Sequence, residues 1–423
     1  MKRVFFSLCA GAISCALLPA LAIAQSKETA VLRFNHTDGA NPTAGLIDVN
    51  GTLYGTTAWG PNCPKVGTAG CGTVFSIDPT TRAETVLYAF CSQQNCTDGQ
   101  TPQASLIDVN GTLYGTTQWG GAVNCANAGY LGCGTIFSID PTTGAETFVH
   151  SFGKGKDGTQ PLAGLIDVNG TLYGTTSGGG ANCQGSGGCG TVFALDPKTG
   201  AETVLYSFCA QQNCSDGSEP FAGIIDVKGT LYGTTMFGGA DGGGTVFGFN
   251  VKTGAETVLH SFSGGTDGSA PDASLIDVNG TLYSTTTTGG SNANRQYCAG
   301  GCGTVFSLDI GTGVEAVLYA FCNHPINHEC RDGDFPVAGL IDVKGILYGT
   351  TPLGGTYYLN GTEGGVLFAL DPNTGAETVL HAFGGSKDGR NPEANLLDVT
   401  GTLYGTTIGG GDHDYGTVFK LRP

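Results

Sequence analysis

The segment Gly51-Thr52-Leu53-Tyr54-Gly55-Thr56-Thr57 decides the fold of this 423-residue chain, because close copies of it occur seven times. Four short stretches rich in Val, Ile, Leu, Tyr and Phe lie around each copy, separated by Gly, Asn, Asp and Pro. A period above 50 residues with four strands is too long for one rung of a β-helix and predicts a repeated four-stranded unit. The tyrosine of the segment recurs at Tyr54, Tyr114, Tyr173, Tyr232, Tyr283, Tyr348 and Tyr404.

The second repeat shows how each unit is built. Asn110-Gly111 predicts a tight hairpin between its first two strands, since both residue types tolerate the positive φ angles of a type I′ turn. Residues 141–144, Pro-Thr-Thr-Gly, predict the turn between the third and fourth strands. We expect the four strands of this repeat at about residues 104–109, 112–117, 134–140 and 146–152.

The packing of these units is indicated by the fourth strands. In residues 85–90, Thr-Val-Leu-Tyr-Ala-Phe, both faces are largely apolar, as expected for a sheet covered on both sides. Propeller blades are covered in this way by their two neighbours. The last repeat stops at residues 417–423, a third strand with its turn just begun, whereas residues 27–34 match a fourth strand. The sequence therefore predicts an all-β, seven-bladed β-propeller of four-stranded blades, with the N-terminal strand closing the last blade.

The N-terminus indicates export. Lys2 and Arg3 precede an apolar run that ends at the small residues of Ala22-Ile23-Ala24, as in a cleavable signal peptide. An uncleaved membrane anchor is the alternative, because about 20 apolar residues can span a bilayer. We predict a signal peptide at residues 1–24, a propeller at residues 25–423 without a membrane span, and a secreted or periplasmic location.

The charge excludes some partners. Removal of Lys2 and Arg3 leaves 16 basic residues against 35 acidic ones, a net charge of −19. Nucleic acids and anionic membranes bind basic surfaces, and this sequence offers no basic stripe. We expect a monomer that binds no nucleic acid.

Fourteen cysteines follow the signal peptide and form seven sequence-local pairs. Repeats that lack a pair lack both members, which predicts seven disulfides and an oxidising compartment. A zinc site at Cys322, His324, His328 and Cys330 is the alternative for one pair. All seven pairs lie in loops that follow second or fourth strands, on one face of the ring. The pairs are Cys63/Cys71, Cys91/Cys96, Cys125/Cys133, Cys183/Cys189, Cys209/Cys214, Cys298/Cys302 and Cys322/Cys330.

Two rings of aspartate recur in the repeats. One precedes a glycine before each first strand, and either holds a turn or binds Ca²⁺, which takes six to eight oxygen ligands. The other lies beside the hairpins, with a structural role expected. We expect no cofactor, with Ca²⁺ as the one possible ligand of the first ring. The rings are Asp38, Asp98, Asp157, Asp216, Asp267, Asp332 and Asp388, and Asp48, Asp108, Asp167, Asp226, Asp277, Asp342 and Asp398.

Three segments of the first repeat carry a family resemblance. Residues 51–57 (Gly-Thr-Leu-Tyr-Gly-Thr-Thr), 72–75 (Gly-Thr-Val-Phe) and 84–88 (Glu-Thr-Val-Leu-Tyr) resemble the GloVer tandem-repeat proteins, and the resemblance covers essentially the whole mature chain. It implies a bacterial exported or surface repeat protein and attaches no catalytic motif to the repeat. We expect the chain to depart from the family by lacking a C-terminal anchor.

The candidate ligand-binding residues are loop residues that break the repeat. Aromatic rings beside Asn, Asp and Gly suit sugar stacking, while aromatics that cover the ends of the blade cores are the alternative. His413 lies between Asp412 and Asp414, the one compact acid/base cluster. We predict a non-catalytic propeller that binds a glycan or a protein through this face, or alternatively a polysaccharide hydrolase or lyase that uses loop-face carboxylates. The candidates are Trp59, Trp119, Phe237, Tyr297, Tyr357, Tyr358 and His413.

Overall fold

The structure is a computed structural model. It describes residues 28–61, 71–122, 125, 132–154, 156–182, 188–291, 298, 300–323, 330–355, 358–359, 362–384 and 387–423. The predicted signal peptide lies outside these residues. Across the described ranges, none of the helical segments has the length and apolarity needed to cross a bilayer.

The described residues form seven four-stranded antiparallel sheets, which confirms the predicted β-propeller. The first strands, which lie innermost, are Ile47–Val49, Ile107–Val109, Ile166–Val168, Ile225–Val227, Ile276–Val278, Ile341–Val343 and Leu397–Val399. The second strands are Thr52–Thr57, Thr112–Thr117, Thr171–Thr176, Thr230–Thr235, Thr281–Thr286, Ile346–Thr351 and Thr402–Thr407. The third strands are Thr73–Ile77, Thr135–Ile139, Thr191–Leu195, Thr245–Asn250, Thr304–Asp309, Val366–Asp371 and Thr417–Leu421. The fourth strands are Glu84–Ala89, Glu146–Ser151, Glu202–Ser207, Ala255–Ser261, Glu315–Ala320, Ala376–Ala382 and, for blade 7, Thr29–Arg33.

A few short elements lie in the loops. Two 3-10 turns occupy Gln94–Cys96 and Gln212–Cys214. The short strand Gly158–Thr159 pairs with Gly178–Gly179, and Tyr358–Leu359 pairs with Thr362–Glu363.

The seam between the two ends of the chain is a full strand pair. Thr29–Arg33 runs antiparallel to Thr417–Leu421, with Thr29 opposite Lys420 and Arg33 opposite Thr417. The ladder continues in a hydrogen bond of 3.1 Å from the Phe34 N–H to the Gly416 carbonyl. The outer strand of blade 7 therefore comes from the opposite end of the chain to its other three strands.

The hairpins between first and second strands follow the predicted turn chemistry. Asn50 and Gly51 have φ angles of 55° and 85°, as a type I′ turn requires. The Asp48 carboxylate accepts the Gly51 N–H at 2.8 Å, and its six equivalents make the same bond. This confirms the structural role expected for the second aspartate ring.

A phenylalanine pair packs at every blade junction. The Phe90 ring, after the fourth strand of blade 1, lies 4.9 Å from the Phe137 ring in the third strand of blade 2, and both are fully buried. The second strand must carry a very small residue beside this pair, since a Cβ on Gly115 would lie 2.5 Å from Phe137 Cζ. The other pairs are Phe34/Phe75, Phe152/Phe193, Phe208/Phe247, Phe262/Phe306, Phe321/Phe368 and Phe383/Phe419.

A buried hydroxyl joins the same blades nearer the axis. The Thr56 hydroxyl of blade 1 donates to the Ala104 carbonyl of blade 2 at 3.2 Å. The corresponding bond recurs at all seven junctions, and at the seam it runs from Thr406 to Ala44 at 3.2 Å. Because a buried hydroxyl is costly without a partner, these bonds favour one fixed relation between neighbouring blades.

A carboxylate pair lies near the outer edge of each junction. Glu146 of blade 2 lies close to Asp98, and burial followed by the Asp98 charge raises the pKa of Glu146 to about 7. One carboxylate oxygen of each glutamate is buried and accepts no hydrogen bond within the described part of the chain. The seven glutamates are Glu28, Glu84, Glu146, Glu202, Glu256, Glu315 and Glu377.

The aspartates that precede a glycine before each first strand face a fourth-strand residue whose type alternates around the ring. Tyrosine and histidine occupy the same register of the fourth strand in turn, and blade 7 has Leu32 there. The Tyr88 hydroxyl donates to Asp98 at 2.9 Å, whereas His150 Nε2 lies 3.4 Å from Asp157. The alternating residues are Tyr88, His150, Tyr206, His260, Tyr319 and His381.

Phe34→Ala tests closure of the ring by the N-terminal strand. The Phe34 ring is fully buried and lies 5.1 Å from Phe75, so we expect a loss of about 3–5 kcal/mol in the free energy of unfolding. Phe152→Ala, at the equivalent junction position of blade 2, is the matched control and should cost a similar amount. Urea unfolding measures both, and a near-neutral Phe34→Ala beside a costly Phe152→Ala would contradict closure.

The pH dependence of stability tests the carboxylate pairs. The pKa of Glu146 is higher in the folded chain than in the unfolded one, so the folded state holds more protons between about pH 4.5 and 7 and loses stability as pH rises through that window. Glu146→Gln should add about 1 kcal/mol at pH 8, after allowance for solvent screening, and little at pH 4. Thermal unfolding at both pH values measures this, with the exposed Asp241→Asn as control. An equal gain at both pH values would contradict the explanation.

Candidate functional site

We call the face that carries the loops after second and fourth strands the loop face. Five of the predicted disulfides are present on it: Cys91–Cys96, Cys125–Cys133, Cys209–Cys214, Cys298–Cys302 and Cys322–Cys330. Cys71 and Cys189 are buried on the same face, and their predicted partners Cys63 and Cys183 lie outside the described residues. The Cys322–Cys330 disulfide leaves these two sulfurs unavailable as thiolate ligands for zinc, and His324 and His328 lie outside the described residues.

The two disulfides of blade 5 come together. The sulfurs of Cys298, Cys302, Cys322 and Cys330 all lie within 4.8 Å of one another, although the pairs belong to different loops. This juxtaposition agrees with the prediction that both types of loop emerge on one face.

Each loop-face connection passes through a residue in the left-handed region just before a proline. Thr101 has φ 59°, and Phe335 has φ 54°. The Thr101 N–H donates to the Cys71 carbonyl of the preceding blade, and its carbonyl accepts from Gln118 of its own blade. Residues other than Gly and Asn rarely adopt this conformation unless surrounding contacts hold them, so these hydrogen bonds fix the backbone at this point of the connection. The seven residues are Asn41, Thr101, Gln160, Glu219, Ala270, Phe335 and Asn391.

The Asp-Gly aspartates close these connections differently from a simple Asx turn. Asp98 is fully buried and accepts the Ser92 N–H at 2.9 Å as well as the Tyr88 hydroxyl. Asp216 accepts the Ala210 N–H at 2.8 Å in the same way. Each aspartate thus joins the loop to the outer strand of its blade. Ca²⁺ binding by this ring stays a prediction.

The predicted aromatic residues differ in exposure although their backbones are equivalent. Trp59 and Phe237 expose 41% and 43% of their surface, whereas Trp119 exposes 9%. Each forms an antiparallel bridge with the segment that follows an Asp-Gly pair, as Trp59 does with Ala40. The Trp59 carbonyl accepts the Ala40 N–H at 2.9 Å and the Thr57 hydroxyl at 2.8 Å, which fixes the backbone that carries the ring. Tyr297 and Tyr357 lie outside the described residues, and only the backbone of Tyr358 is described.

The seam between blades 7 and 1 gathers residues that the other repeats lack. The His36 ring lies 5.3 Å from the Tyr415 ring, and His413 lies 6.4 Å from Tyr415. Burial raises the pKa of Asp38, and the charges of His413 and His36 oppose that rise. The backbone of Trp59 borders the same seam, because it forms a bridge with Ala40. This part of the loop face therefore combines an exposed indole with imidazole and phenol groups.

The predicted acid/base cluster at residues 412–414 is not assembled around its histidine. Asp414 accepts two hydrogen bonds from Arg390, at 3.0 Å from Nε and 2.6 Å from Nη2, and one from the Gly410 N–H at 2.6 Å. The Arg390 guanidinium holds the pKa of Asp414 below its usual range. Asp414 thus pairs with Arg390 and not with His413, which is exposed.

The mouth of the central channel holds a carboxylate pair that sequence reasoning missed. The residues just before the first strands touch around the axis, where Ser274 Oγ accepts the Gly223 N–H at 3.2 Å and Asn395 Oδ1 accepts the Gly339 N–H at 2.6 Å. Asp272 precedes Ser274 by two residues, and Glu393 precedes Asn395 likewise. Burial, followed by the Glu393 charge, raises the pKa of Asp272 to about 7, and burial raises the pKa of Glu393 to about 7.

A signal for this pair was present in the sequence. The position after the loop-face proline varies freely among the repeats, and only two repeats have a carboxylate there. The seven residues are Thr43, Gln103, Leu162, Phe221, Asp272, Val337 and Glu393.

The opposite end of the channel is less suited to binding. A cavity of about 490 Å³ lies there, between residues 166–169 and 225–226. Its two carboxylates, Asp167 and Asp226, already accept the N–H groups of the hairpin glycines. The loop face, with its exposed aromatics and buried carboxylates, is the better candidate.

Comparisons with known proteins agree with the fold. A sequence model described as the Gloeobacter/Verrucomicrobia repeat matches residues 18–186 and 181–419. No curated protein matches the chain.

Three solved structures show similar folds. One is an oligogalacturonate lyase in complex with manganese (12% identity, TM-score 0.51, covering 95% of this chain and 94% of that one). Another is a GH74 enzyme from Niastella koreensis (13% identity, TM-score 0.55, covering 88% of this chain and 52% of that one). A third is the extracellular domain of a hybrid two-component system protein from B. thetaiotaomicron (12% identity, TM-score 0.54, covering 94% of this chain and 42% of that one). At these identities the likeness shows the fold alone.

Proposed function

We propose, on the premise that this chain belongs to the Gloeobacter/Verrucomicrobia repeat family, that it is an exported binding protein. Its ligand is a glycan chain that contacts the loop face at the seam between blades 7 and 1. The observation that carries the proposal is the exposed Trp59 ring on a fixed backbone, beside a seam rich in polar side chains.

The chemistry of the seam suits a sugar. An exposed indole offers an apolar face for a pyranose ring, while His36, His413 and Tyr415 supply hydrogen-bonding groups for hydroxyls. The main chain of Trp59 is held by hydrogen bonds before any ligand arrives, so binding requires little further ordering of the backbone. Phe237, on blade 4, is a second exposed aromatic on the same face.

The disulfides support export. Five bonded pairs in one chain are typical of an oxidising compartment such as the periplasm or the extracellular space. They lie in loops of the same face as the proposed site, at blades 1 to 6.

Trp59→Ala tests the proposed site. Because the ring is 41% exposed, the variant should melt close to the wild type, while glycan affinity should fall at least tenfold, about 1.4 kcal/mol. A glycan array identifies the ligand, and isothermal titration calorimetry compares the variants. Phe148→Ala is the matched control, since Phe148 is equally exposed on the outer strand of blade 2.

Two results would count against the proposal. Unchanged glycan affinity in Trp59→Ala would remove the seam as the site. An array with no bound glycan, together with a protein partner crosslinked at residue 59, would replace the glycan by a protein ligand.

The channel-mouth carboxylates favour a second candidate function, a hydrolase or lyase that acts on polysaccharides. Two interacting carboxyl groups whose pKa values are near 7 can share the roles of proton donor and proton acceptor at neutral pH. The fold accommodates such chemistry, because the similar structures include an oligogalacturonate lyase and a GH74 enzyme.

Asp272→Asn and Glu393→Gln test the enzymatic candidate. If the pair is catalytic, each substitution should lower the rate of polysaccharide cleavage at least 100-fold, as expected for loss of a general acid or base. Release of reducing ends or unsaturated products from a polysaccharide panel measures the rate. Activity that survives both substitutions would eliminate the pair as the catalytic groups.

A further inference from the structure

Two blade junctions bring a histidine and two carboxylates into one cluster. Between blades 2 and 3 these are His150, Asp157 and Glu202, and between blades 6 and 7 they are His381, Asp388 and Glu28. In each cluster, one ligand atom from every residue lies within 4.8 Å of the other two. His150 Nε2 lies 3.4 Å from Asp157 Oδ2, and His381 Nε2 lies 3.2 Å from Asp388 Oδ2.

Both clusters contain buried oxygens that nothing in the described chain satisfies. Asp157 Oδ1 and Glu202 Oε1 are buried without a hydrogen-bond donor, as are Asp388 Oδ1 and Glu28 Oε1. The Asp157 side chain is only 7% exposed, so water reaches it poorly. A buried carboxylate oxygen without a donor or a cation is costly.

We propose that these two junctions each bind one divalent transition-metal cation such as Zn²⁺. The ligands are His Nε2, the aspartate carboxylate and the glutamate carboxylate. Imidazole suits such metals, and carboxylate oxygens complete a set of three protein ligands with a fourth position left for water. The sites lie near the outer edge of the ring, apart from the loop-face seam, so the inference is independent of the proposed glycan function.

The distances fit this chemistry. Tetrahedral zinc with bonds of about 2.0–2.1 Å places its ligand atoms about 3.3–3.4 Å apart. The His–Asp separations of 3.4 and 3.2 Å already match that spacing. Each imidazole is also held by an edge contact with a buried phenylalanine, at 4.9 Å from Phe152 to His150 and 4.7 Å from Phe383 to His381.

Three junctions show what happens without the histidine. At the blade 1–2, 3–4 and 5–6 junctions the same two carboxylates face a tyrosine, whose hydroxyl donates to the aspartate at 2.9, 2.8 and 2.7 Å. The following loop carries a disulfide in each of these cases. A neutral phenol donates a hydrogen bond to the aspartate and is a poor metal ligand, so these junctions lack the ligand set of the proposed sites, although one oxygen of each glutamate is buried without a donor there as well.

A third histidine junction, between blades 4 and 5, departs from the other two. His260 Nε2 lies 3.6 Å from Asp267, and the Asp267 carboxylate is occupied by the backbone N–H and hydroxyl of Ser263. Burial also lowers the pKa of His260. This junction therefore serves as a control for the two proposed sites within the same chain.

Metal binding would join neighbouring blades. Glu202 belongs to blade 3, whereas His150 belongs to blade 2, so one cation links the two sheets. At the second site Glu28 immediately precedes the N-terminal strand, so the cation links that strand to blade 6. We therefore expect the metal to stabilise closure of the ring.

Zinc uptake by the purified full chain tests the proposal. After EDTA treatment, reloading with ZnCl₂ and desalting, elemental analysis should find two zinc ions per chain. His150→Tyr and His381→Tyr should each retain one, and the double variant none. Tyrosine is the residue of the alternate junctions, so these variants should fold. Zinc should raise the melting temperature of the wild type and leave that of the double variant unchanged.

Three further variants serve as controls. His260→Tyr should retain both zinc ions, and a loss there would contradict the assignment to the two clusters. Should a tyrosine variant fail to fold, Glu202→Gln and Glu28→Gln remove the same sites through their carboxylates. Zinc uptake equal in the wild type and the double variant would overturn the proposal, as would complete displacement of zinc by excess Ca²⁺, which would indicate a carboxylate-only site.

Discussion

Every blade junction depends on one phenylalanine at the end of an outer strand, whose ring packs against a phenylalanine in the third strand of the next blade. Both rings are fully buried, and their centroids lie 4.9–5.2 Å apart at all seven junctions. The pair leaves no room for a large side chain in the second strand, which explains the Tyr-Gly-Thr of the repeat. Blade 5 has Ser284 instead of glycine, and its hydroxyl is satisfied by the Ala273 and Ser274 carbonyls.

Because each junction is built from the same parts, the repeated residues are committed to holding the ring together. The threonine hydroxyls, the phenylalanine pairs and the hairpin aspartates serve packing or backbone satisfaction at every blade. Residues that occur once are therefore the informative ones. They concentrate at the seam, where His36 and His413 lie beside Tyr415, and at the channel mouth, where the Glu393 charge contributes to the raised pKa of Asp272. A rigid repeated scaffold with variable loop-face residues is a common way to carry function.

The carboxylate pairs recur at every junction, while the residue that faces the aspartate differs from one junction to the next. Two acids are buried together at each junction, which is unfavourable unless a proton, a donor or a cation accompanies them. Tyrosine junctions supply a hydroxyl and a disulfide-closed loop. Two histidine junctions instead offer the ligand set of a metal. The alternation stops at blade 7, where Leu32 occupies the register and the two ends of the chain meet.

The sequence by itself determined the fold, the number of blades, the hairpin turns and the five cysteine pairs that lie within the described residues, because these follow from period, turn chemistry and joint presence, which are local properties. It also predicted that Trp59 and Trp119 occupy equivalent positions, and their backbones do form equivalent bridges. Only the tertiary structure decided that Trp59 is exposed while Trp119 is covered, and that Asp414 binds Arg390 instead of His413. Likewise, Glu28 and His381 are 353 positions apart in the chain. Side chains so distant meet only because the ring closes, and the repeat pattern does not specify which groups face each other across a junction.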